Sequence, residues 1–159
     1  MEEQGHPSRR SVRLSADESW ATVERGHTGI FTTLRRDGVP VPLPVWYVVL
    51  DRRIYVTTPT AAKKVARLRY DPRASFLVES GERWVELKAV LLTGVAFLVD
   101  DDDLRERVRG ASDEKYAGYR LERKKMPSET RERYGRMGAL ICFEPHERIV
   151  SWDNARLFD

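Results

Sequence analysis

Thr57-Thr58-Pro59-Thr60-Ala61-Ala62-Lys63-Lys64 brings hydroxyls and two ammonium groups into one short turn. Arg53-Ile54-Tyr55-Val56 before it is β-branched and aromatic and predicts a strand. Val65-Ala66-Arg67-Leu68-Arg69-Tyr70 after it has helical spacing, and Asp71-Pro72 stops it. The turn therefore opens a helix, where backbone N–H groups are unpaired and the macrodipole is positive. Lys63 and Lys64 have the wrong sign for that end. A bound phosphate would resolve the conflict, since it suits both the dipole and the ammonium groups. The dipole contributes only about 0.3–1 kcal/mol, so the lysines and hydroxyls must supply most of the affinity. The same pattern also fits a solvated basic helix.

The elements that must position this turn can be read in order. Residues 1–13, with Arg9, Arg10 and Arg13 and no apolar period, are expected to be a flexible tail, and a single domain is expected over 14–159. Ser15 and Glu18 make a capping box, so a helix follows that buries Trp20 and Val23, ends near Gly26 and leaves His27 a structural role. Thr28–Leu34 is a strand, and Asp37-Gly38 signals a hairpin. Val39–Leu50 is the second strand, with Pro40, Pro42 and Pro44 removing N–H groups from one side. That side must lie at an edge or face a ligand. With Asp51-Arg52 turning into Arg53–Val56, a three-strand meander is expected to lead into the anion turn.

Further on, Arg73–Glu79 is a strand and Trp84–Val99 a long one, with Gly94 marking a bulge or corner. Asp100–Asp103 suit a helix start better than a metal site, with basic residues following. Residues 111–136 suggest amphipathic helices separated at Met126-Pro127-Ser128, and the run Arg120, Arg123, Lys124, Lys125 is expected to be a solvated face. Met137–Phe143 and Arg148–Trp152 are the last strands, joined by a turn at Glu144–Glu147, and the terminal Leu157-Phe158 should pack on a neighbour. Six or seven mostly antiparallel strands point to a small β-barrel with peripheral helices.

Composition narrows the function. Against 28 basic and 25 acidic residues the net charge is only +3, which permits an anionic ligand without pointing to nucleic acid. No run approaches the roughly 20 apolar residues of a membrane span, and no apolar leader is visible, so a cytoplasmic protein is expected. The single cysteine, Cys142, lies in an apolar run and reads as a buried thiol; one cysteine excludes an internal disulfide. No Ser-His-Asp or Cys-His arrangement is evident.

In this order the elements resemble the flavin-binding split-barrel proteins related to pyridoxamine 5′-phosphate oxidase, and especially their deazaflavin-using branch. The resemblance rests on Ile30–Leu34 with Asp37-Gly38, Val41-Pro42-Leu43-Pro44-Val45-Trp46-Tyr47, the turn at 57–64 with Leu68–Pro72, and Ile149-Val150-Ser151-Trp152-Asp153. It implies a six-stranded antiparallel Greek-key split barrel with peripheral helices. It also implies a homodimer that binds cofactor between subunits. The flavin phosphate would sit at Thr57, Thr58, Lys63 and Lys64, the ring against Leu43, Pro44, Val45 and Trp46, with Trp152 closing the groove. Pyridoxamine phosphate oxidases carry an arginine and a lysine on the second strand at positions that fall on Pro42 and Tyr47. Their absence favours coenzyme F420, which bears a lactyl phosphate and a glutamate tail, over FMN. The implied activity is hydride transfer between F420 and a small electron-poor substrate, with no protein nucleophile. Backbone N–H groups of 43–46 would stabilise the reduced ring, and Tyr47 and Lys88 are the candidate proton donors. The alternatives are an FMN-dependent oxidoreductase in the same groove and a non-catalytic flavin- or haem-binding protein.

Overall fold

The computed structural model describes residues 11–135 and 138–158. Arg9 and Arg10 of the expected tail, and Met137 at the start of an expected strand, lie outside them. The chain is held from Val12 onward: the Asp153 N–H donates to Val12 O, and Arg156 donates to Arg13 O.

Among the described residues four α-helices, α1 (Ala16–Arg25), α2 (Lys63–Tyr70), α3 (Asp102–Lys115) and α4 (Ser128–Gly135), surround seven strands. The strands are β1 (Gly29–Leu34), β2 (Pro40–Val45), β3 (Val48–Leu50), β4 (Arg53–Thr58), β5 (Arg73–Ser80), β6 (Lys88–Val99) and β7 (Ala139–Asp153). All pairings are antiparallel, in the order β2-β1-β5-β6-β7-β4-β3. Phe31 of β1, Ile54 of β4, Phe76 of β5, Leu92 of β6 and Ile141 and Phe143 of β7 share one buried cluster. Strands from nearly the whole sheet can meet there only because the sheet curls around them, which makes the split barrel. Leu140 and Cys142 point the other way on β7 and are covered with Val108 of α3. Burial on both faces explains why Ala139–Phe143 is apolar throughout. It also pushes the Cys142 thiol up.

Most local expectations hold. Ser15 and Glu18 form the capping box, α1 buries Trp20 and Val23 and Gly26 caps it. Asp101 accepts from the Leu104 N–H at 2.9 Å and caps α3. The separation at Met126–Ser128 is present as the start of α4.

The expected meander is not formed. β2 and β3 are separate strands at opposite edges of the sheet. The chain leaves β2 at Trp46-Tyr47 because Tyr47 is drawn into the core: its hydroxyl donates to Val23 O at 2.5 Å and its N–H donates to Tyr116 Oη at 2.9 Å. Two further boundaries differ. Trp84–Glu86 is a single 3-10 turn, so β6 begins only at Lys88. Glu144–Glu147 does not turn; β7 runs through it, and the irregularity falls opposite Gly94, where the β6–β7 register shifts. The extra residues of this irregularity lie on β7, where 146–148 stand against Thr93 alone, and Gly94 marks the place where that continuous strand bends.

β2 is an edge strand, as the prolines required. It pairs with β1 in the register Thr33↔Val41, Phe31↔Leu43 and Gly29↔Val45. Proline has no N–H to give, so the alternating ladder must turn the N–H groups of Val41, Leu43 and Val45 toward β1. The free edge then carries the carbonyls of Pro40, Pro42 and Pro44 and no donor. Leu157 and Phe158 lie by the 3-10 turn, with the Phe158 ring 6.4 Å from that of Trp84, edge to face.

The β3–β4 turn stores strain. Asp51 (φ 52°) and Arg52 (φ 55°) both occupy the left-handed region. Such a turn prefers Asn-Gly. Asp51→Asn with Arg52→Gly is expected to raise stability in urea unfolding by about 1 kcal/mol. The Arg52–Asp17 pair lost with it is largely exposed and contributes little. A loss of stability would overturn this reading of the turn.

Candidate functional site

The turn after β4 and the start of α2 form a basic corner, with Lys63 and Lys64 in the first turn and Arg67 and Arg69 in the last. Pro59 O accepts from the Ala62 N–H at 2.9 Å, which closes the turn. Ala62 occupies the N-cap without a side-chain cap, and the first turn of α2 has no acid. The helix therefore starts with unpaired N–H groups and two lysines, as expected from sequence.

The side chains divide. Lys64 turns inward: its Nζ lies 3.4 Å from Thr58 Oγ1, and Thr58 is only 4% exposed. Lys63 and Thr57 are exposed on the rim. One helical turn on, Arg67 donates from Nε to Thr33 Oγ1 of β1 at 2.8 Å. Burial, then the charges of Arg67 and of Arg133 on α4, push the Lys64 ammonium below its ordinary value. Among the described residues neither Lys64 nor Arg67 forms an ion pair. Like charges are thus gathered and partly desolvated without a carboxylate between them, which is costly unless an anion joins them. Beside them opens a cleft of about 540 Å³, walled by Pro59, Thr60, Ala61 and Ala62 on one side and Glu129, Glu132 and Arg133 on the other.

β2 reaches this corner through β1. Thr33, the residue Arg67 holds, is the cross-strand partner of Val41, two residues before Leu43. Leu43 and Pro44 are exposed and Val45 is buried. The expected backbone donors of 43–46 are mostly absent, because Leu43 and Val45 give their N–H groups to β1 and Pro44 has none. The edge offers carbonyl acceptors instead. Trp46 is 40% exposed, but one face of its indole is taken: it stacks on Tyr116 at 4.3 Å and 2°. His27 meets both rings edge-on at 5.5 and 5.3 Å.

Trp152 does not join the corner within one chain. It pairs with Ala89 at one end of β7, whereas Thr58 pairs with Ala139 at the other. At about 3.3 Å per residue the two ends lie roughly 40 Å apart along the strand. Trp152 lines a separate hollow of about 240 Å³ with Leu77, Glu79, Leu87 and Lys88.

Neither proposed proton donor is suited to the role. Burial holds the Tyr47 phenol well above its ordinary value, and its proton is committed to Val23 O. Lys88 is paired with Asp153 at 3.4 Å.

Sequence reasoning missed Arg67, Thr33, Arg133 and Tyr116. For Arg67 the signal was available, since it follows Lys63 and Lys64 by four and three residues on one helix. For the others nothing local announced the contact.

Lys115 presents a different problem. Its Nζ is buried without a hydrogen-bond partner among the described residues and sits 3.8 Å from the centre of the Tyr47 ring. Burial lowers it to about 8 from the ordinary 10.5. Between these values the unfolded chain binds the proton and the folded chain does not, so stability should rise with pH above about 8. Tyr47 and Tyr116, both raised by burial, reverse the trend once free phenols ionise near pH 10. Lys115→Met should remove the rise between pH 8 and 10. A rise that persists in the variant would assign it to another group.

The family described as pyridoxamine 5′-phosphate oxidase matches this chain over residues 15–142. Among solved structures, the conserved hypothetical protein Rv2991 of Mycobacterium tuberculosis is 28% identical, with a TM-score of 0.79 over 97% of this chain and 94% of its own. A FAD-binding protein of Mesorhizobium loti shares the fold at 18% identity and a TM-score of 0.66, covering 87% of this chain and 94% of its own. A heme binding protein of Mycobacterium smegmatis does so at 21% identity and 0.64, covering 92% of this chain and 61% of its own. No curated protein matches the chain significantly.

Proposed function

Since the chain belongs to the pyridoxamine 5′-phosphate oxidase family, we propose that it is an oxidoreductase that uses coenzyme F420 to reduce a small electron-poor substrate. The observation that carries this reading is the cation corner formed by Lys64, Arg67 and the uncapped start of α2, which is matched to a cofactor phosphate. Its donor set fits the group: an ammonium, a guanidinium and backbone N–H groups all complement phosphate oxygens. F420 is favoured over FMN because the two cations by which the resembling oxidases help hold FMN fall at Pro42 and Tyr47. Here Tyr47 faces the core and cannot meet a ligand.

When bound, the reduced deazaflavin supplies the hydride. Lys64 and Arg67 hold the phosphate end, and Thr33 and Thr58 fix the two cations. The Pro42 and Pro44 carbonyls on the β2 edge present acceptors to a ring N–H, and Trp46, braced by Tyr116, bounds the ring's end of the groove. The protein's work is to bind and orient, holding donor and acceptor carbons about 3–3.5 Å apart. Trp152 would close the groove from a second copy in a homodimer, a state that sedimentation of the purified protein would test.

Fluorescence titration of the apoprotein with F420 and with FMN tests the cofactor. Micromolar or tighter binding of F420 with weaker FMN binding is expected. The reverse preference would make this an FMN protein.

A further inference from the structure

Trp46, the residue that follows β2, is an exposed aromatic side chain held in one place. Its indole lies parallel to the Tyr116 ring, 4.3 Å away at an angle of 2°. Tyr116 is fully buried and tied: its hydroxyl accepts from the Tyr47 N–H at 2.9 Å and donates to His27 O at 2.8 Å. The His27 ring is nearly perpendicular to both, and its centre is almost equidistant from theirs, at 5.5 and 5.3 Å. The imidazole therefore stands beside the stack, against the ring edges. Tyr116 takes one face of the indole, so the 40% of Trp46 that is exposed belongs to the other face and the free rim. Tyr119 packs on the imidazole at 4.4 Å, and His27 Nδ1 lies 3.0 Å from Thr28 Oγ1. With that hydroxyl donating, Nε2 carries the ring proton and can donate it to a ligand.

An indole stacked on a phenol presents an electron-rich face, which flat rings meet in offset stacks. An apolar surface with a polar donor at its rim has the make-up of a small-molecule site. Fixing the indole before anything binds removes an ordering cost from association. The strand also links this face to the cation corner. Val41 stands opposite Thr33, and at about 3.3 Å per residue the chain runs roughly 17 Å on to Trp46. Resting on the deazaflavin reading above for the reaction, we infer that the open face of Trp46 is the substrate platform, and that the substrate is a flat, electron-poor ring bearing an oxygen acceptor. The ring stacks on the indole, and His27 Nε2 donates to the oxygen. The second face of the ring stays open toward the cofactor. Trp46 and His27 then determine specificity: the first selects flat rings and the second selects those with an acceptor.

The test is a titration of the apoprotein with 4-nitroacetophenone, followed through the indole N–H signals by NMR, with Trp46→Leu assigning the Trp46 signal. Affinities are compared by saturation transfer to the probe. A saturable shift at Trp46 is expected, with a Kd of about 1 mM or tighter, and none at Trp84, which is 62% exposed. The equally flat but electron-rich 4-methoxyacetophenone should bind about fivefold more weakly. Cyclohexyl methyl ketone, which has the carbonyl and no flat ring, should give no saturable shift. Trp46→Leu keeps apolar bulk and should weaken the nitro probe about tenfold. His27→Phe keeps a ring against Tyr116 and should weaken it about fivefold. A urea curve on each variant separates these losses from unfolding. F420 added to the complex should not displace the probe. A shift shared with Trp84, equal binding of the three probes, or affinity unchanged in either variant would overturn the inference. Displacement by F420 would also overturn it, giving the indole to the cofactor ring and leaving the deazaflavin reading intact. Failure of F420 to bind where the probe still does would overturn that reading and leave Trp46 and His27 as a binding site.

Discussion

Lys64→Ala combined with Arg67→Ala should lower cofactor affinity at least a hundredfold while the barrel stays folded. Each side chain can make charge-assisted hydrogen bonds to a phosphate, worth about 1.5–3 kcal/mol apiece. Losing both removes at least about 3 kcal/mol, which is more than two decades in Kd. The effect on folding is small because two changes oppose each other. Removing Arg67 leaves the buried Thr33 hydroxyl, 1% exposed, without its partner. Removing Lys64 relieves a half-buried ammonium that its cationic neighbours already disfavour. Titration of the variant, with a urea unfolding curve beside it, separates the two quantities. Affinity within threefold of the native chain would move the phosphate elsewhere.

Gly94→Ala is expected to cost about 3 kcal/mol, the upper end of what overpacking costs, because the clash is with backbone. A Cβ at this position would lie 2.1 Å from Glu144 O and 2.7 Å from Pro145 Cα. Neither is a flexible tip that can swing away, so β6 and β7 would have to part where the barrel bends. That is also the longest strand pairing in the fold. Gly110→Ala is the matched control. It lies inside α3, nothing stands within 4 Å of its added Cβ, and alanine there should gain up to about 1 kcal/mol. Opposite signs for the same substitution, read in one denaturation series, are the expected outcome. A cost below about 1 kcal/mol at Gly94 would mean that the β6–β7 bulge can relax.

What could be read in the sequence was what local chemistry decides. The capping box at Ser15, the uncapped basic start of α2, the edge character of the proline strand and the bulge at Gly94 are each settled by residues a few positions apart. What escaped was settled across the fold. That β2 and β3 part company depends on Tyr47 reaching Val23 and on Tyr116 arriving 69 residues later to meet the freed N–H. Arg133 entered the anion corner from a helix whose sequence marks only a charged, amphipathic segment. Trp84, read as the start of a strand, instead lies in a 3-10 turn and meets Phe158 edge to face, a contact from the far end of the chain. The continuation of β7 through Pro145 was hidden for a similar reason: the proline suggested a stop, and the glycine that accommodates it lies on the neighbouring strand.

The acceptor-only edge of β2 has a consequence for how the protein behaves in a crowded solution. An exposed strand is ordinarily a template, since any extended chain can add to it by trading donors for acceptors on alternate residues. Here the trade cannot be completed. An incoming strand would find three carbonyls in a row and no N–H to satisfy its own, so each added residue pair would leave a carbonyl of the newcomer unpaired. The proline spacing of β2 therefore also guards the molecule against growing into fibrils from that side. Copies of the chain that associate must do so by packing faces or side chains, not by extending the sheet across β2.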